Sequence, residues 1–155
     1  MKKYEEEKTF YWRMKNAFVN ILVHKQGEDD VVKKQNEWVI RTIRKNYDSE
    51  KIFVLFEILS ERGEELRVEA IKTFVSLNKS FEMFSKLTLE PNHWGGSGSM
   101  VPYMQARVKY YESLLPIFTG LDFLQHKKLI QDNIEVWKRR LEKEEIDEIM
   151  EERFL

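Results

Sequence analysis

The stretch "HWGGSGSMVP", residues 93–102, gathers three of the chain's six glycines with two serines, the residue types from which phosphate-binding loops are made. A P-loop needs G-x-x-x-x-G-K-[ST], because the lysine neutralises phosphate and the hydroxyl holds magnesium. No lysine follows these glycines, so the G-K-[ST] ending is missing. A dinucleotide fingerprint needs G-x-G-x-x-G after a strand, and here Val101 stands where the third glycine would follow Gly96 and Gly98 and the preceding segment reads as helix. What it keeps is a set of backbone N–H groups and hydroxyls ahead of a helix, so Gly96, Ser97, Gly98 and Ser99 form the candidate anion loop. The simpler expectation for the same residues is a structural corner. Glycine supplies the positive φ of a reversal, Ser99 caps the next helix, Pro102 fits its first turn, and Trp94 packs back onto neighbouring helices.

Catalysis has less to work with. His24, His93 and His126 lie in separate segments, and none has a second histidine four residues on or a paired His-Glu motif. Each therefore reads as a packed or solvated side chain and not as a metal ligand. A ribonuclease arrangement with arginine four to six residues before a histidine is absent, as is the G-x-S-x-G elbow of serine hydrolases. Cysteine is also absent, which removes disulfides, thiol nucleophiles and Cys-based zinc sites together. No catalytic residue, metal ligand or cofactor is assigned, and the chain is expected to be non-enzymatic.

Charge narrows the partners. Lys and Arg number 26 against 27 Asp and Glu, a net charge of −1 that gives no global attraction for nucleic acid or an anionic membrane. Two local features could still bind a single strand: Tyr4, Phe10, Tyr11 and Trp12 beside Lys8, Arg13 and Lys15, and the basic spot Lys138 to Arg140. The first reads better as a core helix with a solvated flank. The second precedes seven acids among residues 142–153, which cancel its field. The N-terminal "MKKYEEEKTF" cannot supply the apolar core of a signal peptide, and no apolar run approaches the ~18 residues of a membrane span. A cytoplasmic location is expected.

The elements that would position these groups are helices. Phe10, Met14, Ala17, Phe18 and Ile21 recur at three- and four-residue intervals, which predicts one buried helical face, ended by Gly27. A second helix from Asp30 presents Val31, Gln35, Trp38, Val39, Thr42 and Ile43, and Asp48 or Ser49 caps the third. That third helix, "EKIFVLFEILSERG", is apolar nearly all round and is expected at the centre of the core, running to Gly63. The fourth turns Leu66, Ala70, Ile71, Phe74 and Leu77 inward, and a short fifth, "SFEMFSKLTL", stops before Pro91. The sixth carries Met104, Val108, Tyr111, Leu115 and Phe118 on one stripe, and the last begins near Leu121. Trp38, Phe56, Phe74 and Leu115 are the expected core anchors.

These patterns predict an all-α chain of six to eight helices in antiparallel hairpins, either a HEAT-like α-solenoid fragment or an irregular helical bundle. The pairs at 5–46 and 49–78 approach the ~40–47-residue HEAT period. Residues 1–155 are expected to form a single all-helical domain, with the 88–101 loop as the place for any subdivision. In the last helix Ile130, Ile134, Trp137 and Leu141 should face the core. The next stripe, Ile146, Ile149, Met150 and Phe154, is offset by a five-residue step, about 140° at about 100° per residue. One straight helix cannot bury both stripes against one core. The distal stripe is therefore the candidate interaction site, for a protein partner or for self-association.

From "FEMFSKLTLEP" through "GSMVPYMQARVKYYESLLPIFTGLDFLQHKKLIQDNIEVWKRRLEKEE", the chain resembles the C-terminal helical region of large bacterial STAND-type NTPases. The phrases that carry the resemblance are "GS-x-VPY" at Gly98 to Tyr103, an "R-x-x-Y-x-x-L" helix in looser spacing at Arg107 to Leu114, and "G-x-x-F-x-x-H" at Gly120 to His126. The resemblance covers roughly residues 50 to 145. It implies HEAT-like repeats and a sensing or interaction role within a larger protein. It implies no ATPase here, because the chain lacks a Walker motif.

Overall fold

The computed structural model describes residues 2–23, 28–90 and 99–154, and helices joined by short non-helical segments make up these residues. Seven α-helices occur among them and no strand. The chain divides into two compact units, Met1–Asn92 and His93–Leu155, with the boundary inside the 88–101 loop.

The first unit contains α1 (Lys2–Val23), α2 (Glu28–Asn46), α3 (Lys51–Leu59), α4 (Glu64–Leu77) and the short α5 (Phe81–Ser85). Four-residue spacing puts Met14 and Phe18 on one face of α1, and Val39 and Ile43 on one face of α2; all four are buried. The two faces meet where Phe18 packs edge-on to Trp38 at 5.3 Å. α3 buries Ile52, Leu55, Phe56, Ile58 and Leu59, five of its nine residues, as its nearly all-round apolar sequence requires. α1 packs on α2 and α3, while α2 packs on α3 and α4. Phe56 of α3 meets Phe74 of α4 edge-on at 6.1 Å.

Several helix ends and faces differ from the sequence expectation. α3 stops at Leu59, and Gly63 is not its terminator but the extended residue ahead of α4, at φ −61° and ψ 153°. The physical reason is Arg67. Its guanidinium, on a side chain 1% exposed, donates to the carbonyl oxygens of Leu59 (3.1 Å), Ser60 (3.4 Å) and Arg62. A helix C-terminus leaves such carbonyls unsatisfied, and here an arginine from the next helix takes the place of a glycine cap. On α4, Arg67 and Val75 are buried, whereas Leu66 is half-buried and Leu77 is 40% exposed. Ser49 does not cap α3 at the N-cap position, which Glu50 holds; its hydroxyl accepts from the Lys51 N–H at 3.2 Å. α5 is capped by Ser80, which accepts from the Met83 N–H, and it ends at Ser85, well short of Pro91. Beyond it the chain alternates, with Leu87 and Leu89 buried and Thr88 and Glu90 only partly so. A β-branched residue and a residue preceding proline both disfavour continued helix.

The second unit is a helical hairpin, α6 (Val101–Leu114) against α7 (Leu124–Phe154), joined through two single 3₁₀ turns at Leu115–Ile117 and Leu121–Phe123. Pro116 sits in the first 3₁₀ turn, where its missing N–H breaks the α pattern. Gly120 has φ +92°, so the reversal between the turns needs a residue without Cβ. Met104, Arg107, Val108, Tyr110, Tyr111 and Leu114 of α6 are buried, and Leu115 is not: Leu114 fills the core position expected of it. Trp38, the other core anchor that differs, is half-buried; Phe56 and Phe74 are fully buried.

No described helix is long and apolar enough to cross a membrane.

Candidate functional site

α7 runs 31 residues, a rod of about 45 Å at about 1.5 Å per residue, while α6 has only 14. The surplus is the distal end of α7. Its first half behaves as a core helix: Ile130, Ile134 and Trp137 are buried, and Leu141 is half-buried. Past Leu141 the apolar face changes direction. Ile146, Ile149 and Met150 are 59%, 51% and 48% exposed, and the helix continues without a break. The side chain of Phe154, the fourth residue of the expected stripe, lies outside the described residues.

The azimuth once used by Ile134 and Leu141 passes to glutamates. Glu144 and Glu148 are half-buried, and the Ser99 hydroxyl ahead of α6 donates to the Glu148 carboxylate. Two acids thus face the hairpin where an apolar pair would extend the core, and the apolar residues point about 140° away. The sequence therefore turns the distal stripe away from α6 rather than leaving it uncovered by chance.

At the root of this segment, two rings lie side by side between two guanidinium groups. Arg107 lies over Tyr103 (4.6 Å), Tyr103 packs edge-on to Trp137 (6.0 Å), and Arg140 lies over Trp137 (5.0 Å). Such cation–π pairs contribute roughly 0.5–2 kcal/mol each and hold α7 in register where it leaves α6. Arg140 is thereby part of this stack, and Arg139 pairs with Glu135 at 4.0 Å, so two residues of the basic spot at 138–140 are engaged locally.

The other candidates are placed as follows. Gly96, Ser97, Gly98 and Trp94 lie outside the described residues. Ser99 is described: Met100, not Ser99, holds the N-cap position of α6, and the Ser99 hydroxyl accepts from the Val101 N–H at 3.1 Å. His24 and His93 lie outside the described residues. His126 is 1% exposed, stacked on Phe118 at 5.7 Å and edge-on to Phe123 at 5.1 Å. Burial disfavours its charged form and lowers its pKa below the ordinary 6.5. A ring so enclosed packs the hairpin turn and reaches no solvent-borne ligand. Among the described residues, no three His, Cys, Asp or Glu side chains are grouped to hold a metal ion.

Of the N-terminal aromatics, the side chain of Tyr4 lies outside the described residues, Phe10 and Tyr11 are half-buried and Trp12 is 49% exposed. Lys51 lies over Phe10 at 4.8 Å, and Lys15 sits 5.7 Å from both Tyr11 and Trp12 while also pairing with Glu61 at 3.6 Å. One feature here escaped sequence reasoning, an open cleft of about 1050 Å³ between α1 and the start of α3. Its walls mix Glu5, Glu6 and Glu50 with Arg13 and Lys51 around Phe10 and Phe53, a set with no convergent charge or nucleophile. Its two walls lie some forty residues apart in the chain, so no local motif signals it.

Compared with known proteins, the chain matches no family model, no curated protein and no solved structure.

Proposed function

We propose that this chain is a non-enzymatic helical interaction module, acting in the cytoplasm, that meets a protein partner through the distal end of α7. The observation that carries the reading is the stripe of Ile146, Ile149 and Met150, each about half exposed on a continuous helix whose opposite azimuth is committed to its own hairpin. Leaving apolar surface in water is unfavourable by about 25 cal/mol per Å², so three large residues kept together on one face favour a partner.

A HEAT-like role for the first unit belongs to the same proposal. Its support is the packing order: α1 lies on α3 and α2 on α4, as expected when one helical hairpin stacks on the next. On this reading the stacked hairpins form the scaffold and α7 the contact arm, within the larger bacterial STAND-type setting that the resemblance implies.

A photo-crosslinking side chain placed at Ile149, in cells that make the protein, tests the reading. A discrete crosslinked species is expected from Ile149 and not from the exposed Glu69 of α4. Equal or absent crosslinking at the two positions would contradict it.

A further inference from the structure

Resting on that reading, we infer that the occupant of the distal α7 stripe is a basic amphipathic helix of another protein, and not a second copy of this chain. Residues 142–153 hold seven acids against Lys143 and Arg153, a net charge of −5 in a chain whose total is −1. The arrangement is as informative as the sum. At about 100° per residue, Glu145 and Glu152 run along one border of the stripe and Asp147 and Glu151 along the other, all four exposed, while the two bases fall at its ends, Lys143 beside Met150 and Arg153 beyond Ile149. An apolar seam between two rows of like charge selects its partner by the charges on the partner's own borders.

Lysine or arginine rows on an incoming helix relieve the mutual repulsion of these acids. A second copy of α7, parallel or antiparallel, would set acid rows against acid rows, which costs affinity and slows encounter. Nucleic acid and an anionic membrane surface are repelled by the same field. A helix of about three turns with apolar residues at i, i+3, i+4 and i+7, bordered by Lys or Arg, satisfies the seam and both rows.

The test uses the full chain and labelled synthetic peptides read by fluorescence anisotropy: an amphipathic Leu/Lys helix, its Leu/Glu counterpart, and a scrambled peptide of the Leu/Lys composition. Saturable binding of the Leu/Lys helix is expected, with the scrambled peptide at least about tenfold weaker and the Leu/Glu helix not bound. Ile149→Asp, at an exposed position that leaves helicity by circular dichroism unchanged, should weaken the Leu/Lys complex by about tenfold or more. The pair Glu145→Lys and Glu152→Lys should shift preference toward the Leu/Glu helix. Leu/Lys binding that ignores Ile149→Asp would overturn the inference, as plain charge attraction. Binding of the Leu/Glu helix through Ile149, or a homodimer dissolved by Ile149→Asp, would overturn the basic partner and keep the interaction reading. If no peptide binds and Ile149 gives no crosslink, both are lost.

Discussion

Arg67 brings a permanent charge into the interior of the first unit and uses it to close a helix end. Its guanidinium serves the carbonyls of Leu59, Ser60 and Arg62, of which Leu59 also accepts from the Arg62 N–H at 2.9 Å, so removing it takes a charged donor from each of the three. Arg67→Met keeps much of the apolar stem but should lower unfolding free energy by on the order of 3 kcal/mol in urea denaturation. All three bonds come from Nη1, and Arg67→Lys should recover only part, because the lysine chain is one bond shorter and carries its ammonium short of that nitrogen's place. Helical spacing did point to this position: Arg67 precedes Ala70, Ile71 and Phe74 by three, four and seven residues. Hydrophobicity pointed to Leu66 instead, and a charged residue on the core azimuth is legible only if its acceptors are known. Arg107 repeats the lesson in α6, three residues after the buried Met104. His126 gives the residue scale its pH dependence. Its pKa is lowered in the folded chain, so the unfolded chain binds the extra proton; stability should be full above about 6.5 and fall as pH drops below it. Thermal midpoints from pH 8 to 5 should show this slope in the native protein, and a flatter one in His126→Leu.

At the scale of elements, α3 and α4 set the first unit's stability through Phe56 and Phe74, both fully buried. Phe74→Ala should cost on the order of 3–5 kcal/mol in unfolding free energy. A midpoint unchanged in that variant would mean the α3–α4 register is wrong. The faces of α1, α2 and α6 were legible because their apolar residues repeat at helical spacing over three or more turns. The segment after α5 was not. "KLTLEP" reads as more helix on composition, whereas Thr88 and the residue before Pro91 favour extended backbone, with Leu87 and Leu89 buried alternately. Gly63 was misread for a related reason. A glycine near a helix end suggests a C-cap, but the carbonyls of α3 were already served by a side chain seven to eight residues away. Helix ends depend on tertiary partners in a way that helix faces do not.

For the whole molecule, the balanced charge of −1 conceals its distribution, and the distribution carries the functional argument. The five-residue step between Leu141 and Ile146 was enough to expose the change of face, and the structure adds what occupies the vacated azimuth: Glu144 and Glu148, the latter bonded to Ser99. The cleft between α1 and α3 had no comparable signal, because it depends on how distant segments pack. The central claim is that the end of α7 serves a partner and not the chain's own core. Deleting residues 143–155 and measuring the thermal midpoint together with the molecular mass in solution tests it most directly. The account predicts a midpoint within a few degrees of the full chain, since the loss is one exposed hydrogen bond and an exposed stripe worth roughly 1 kcal/mol. A monomeric chain whose midpoint falls steeply on this deletion would contradict it, because the distal stripe would then belong to the core.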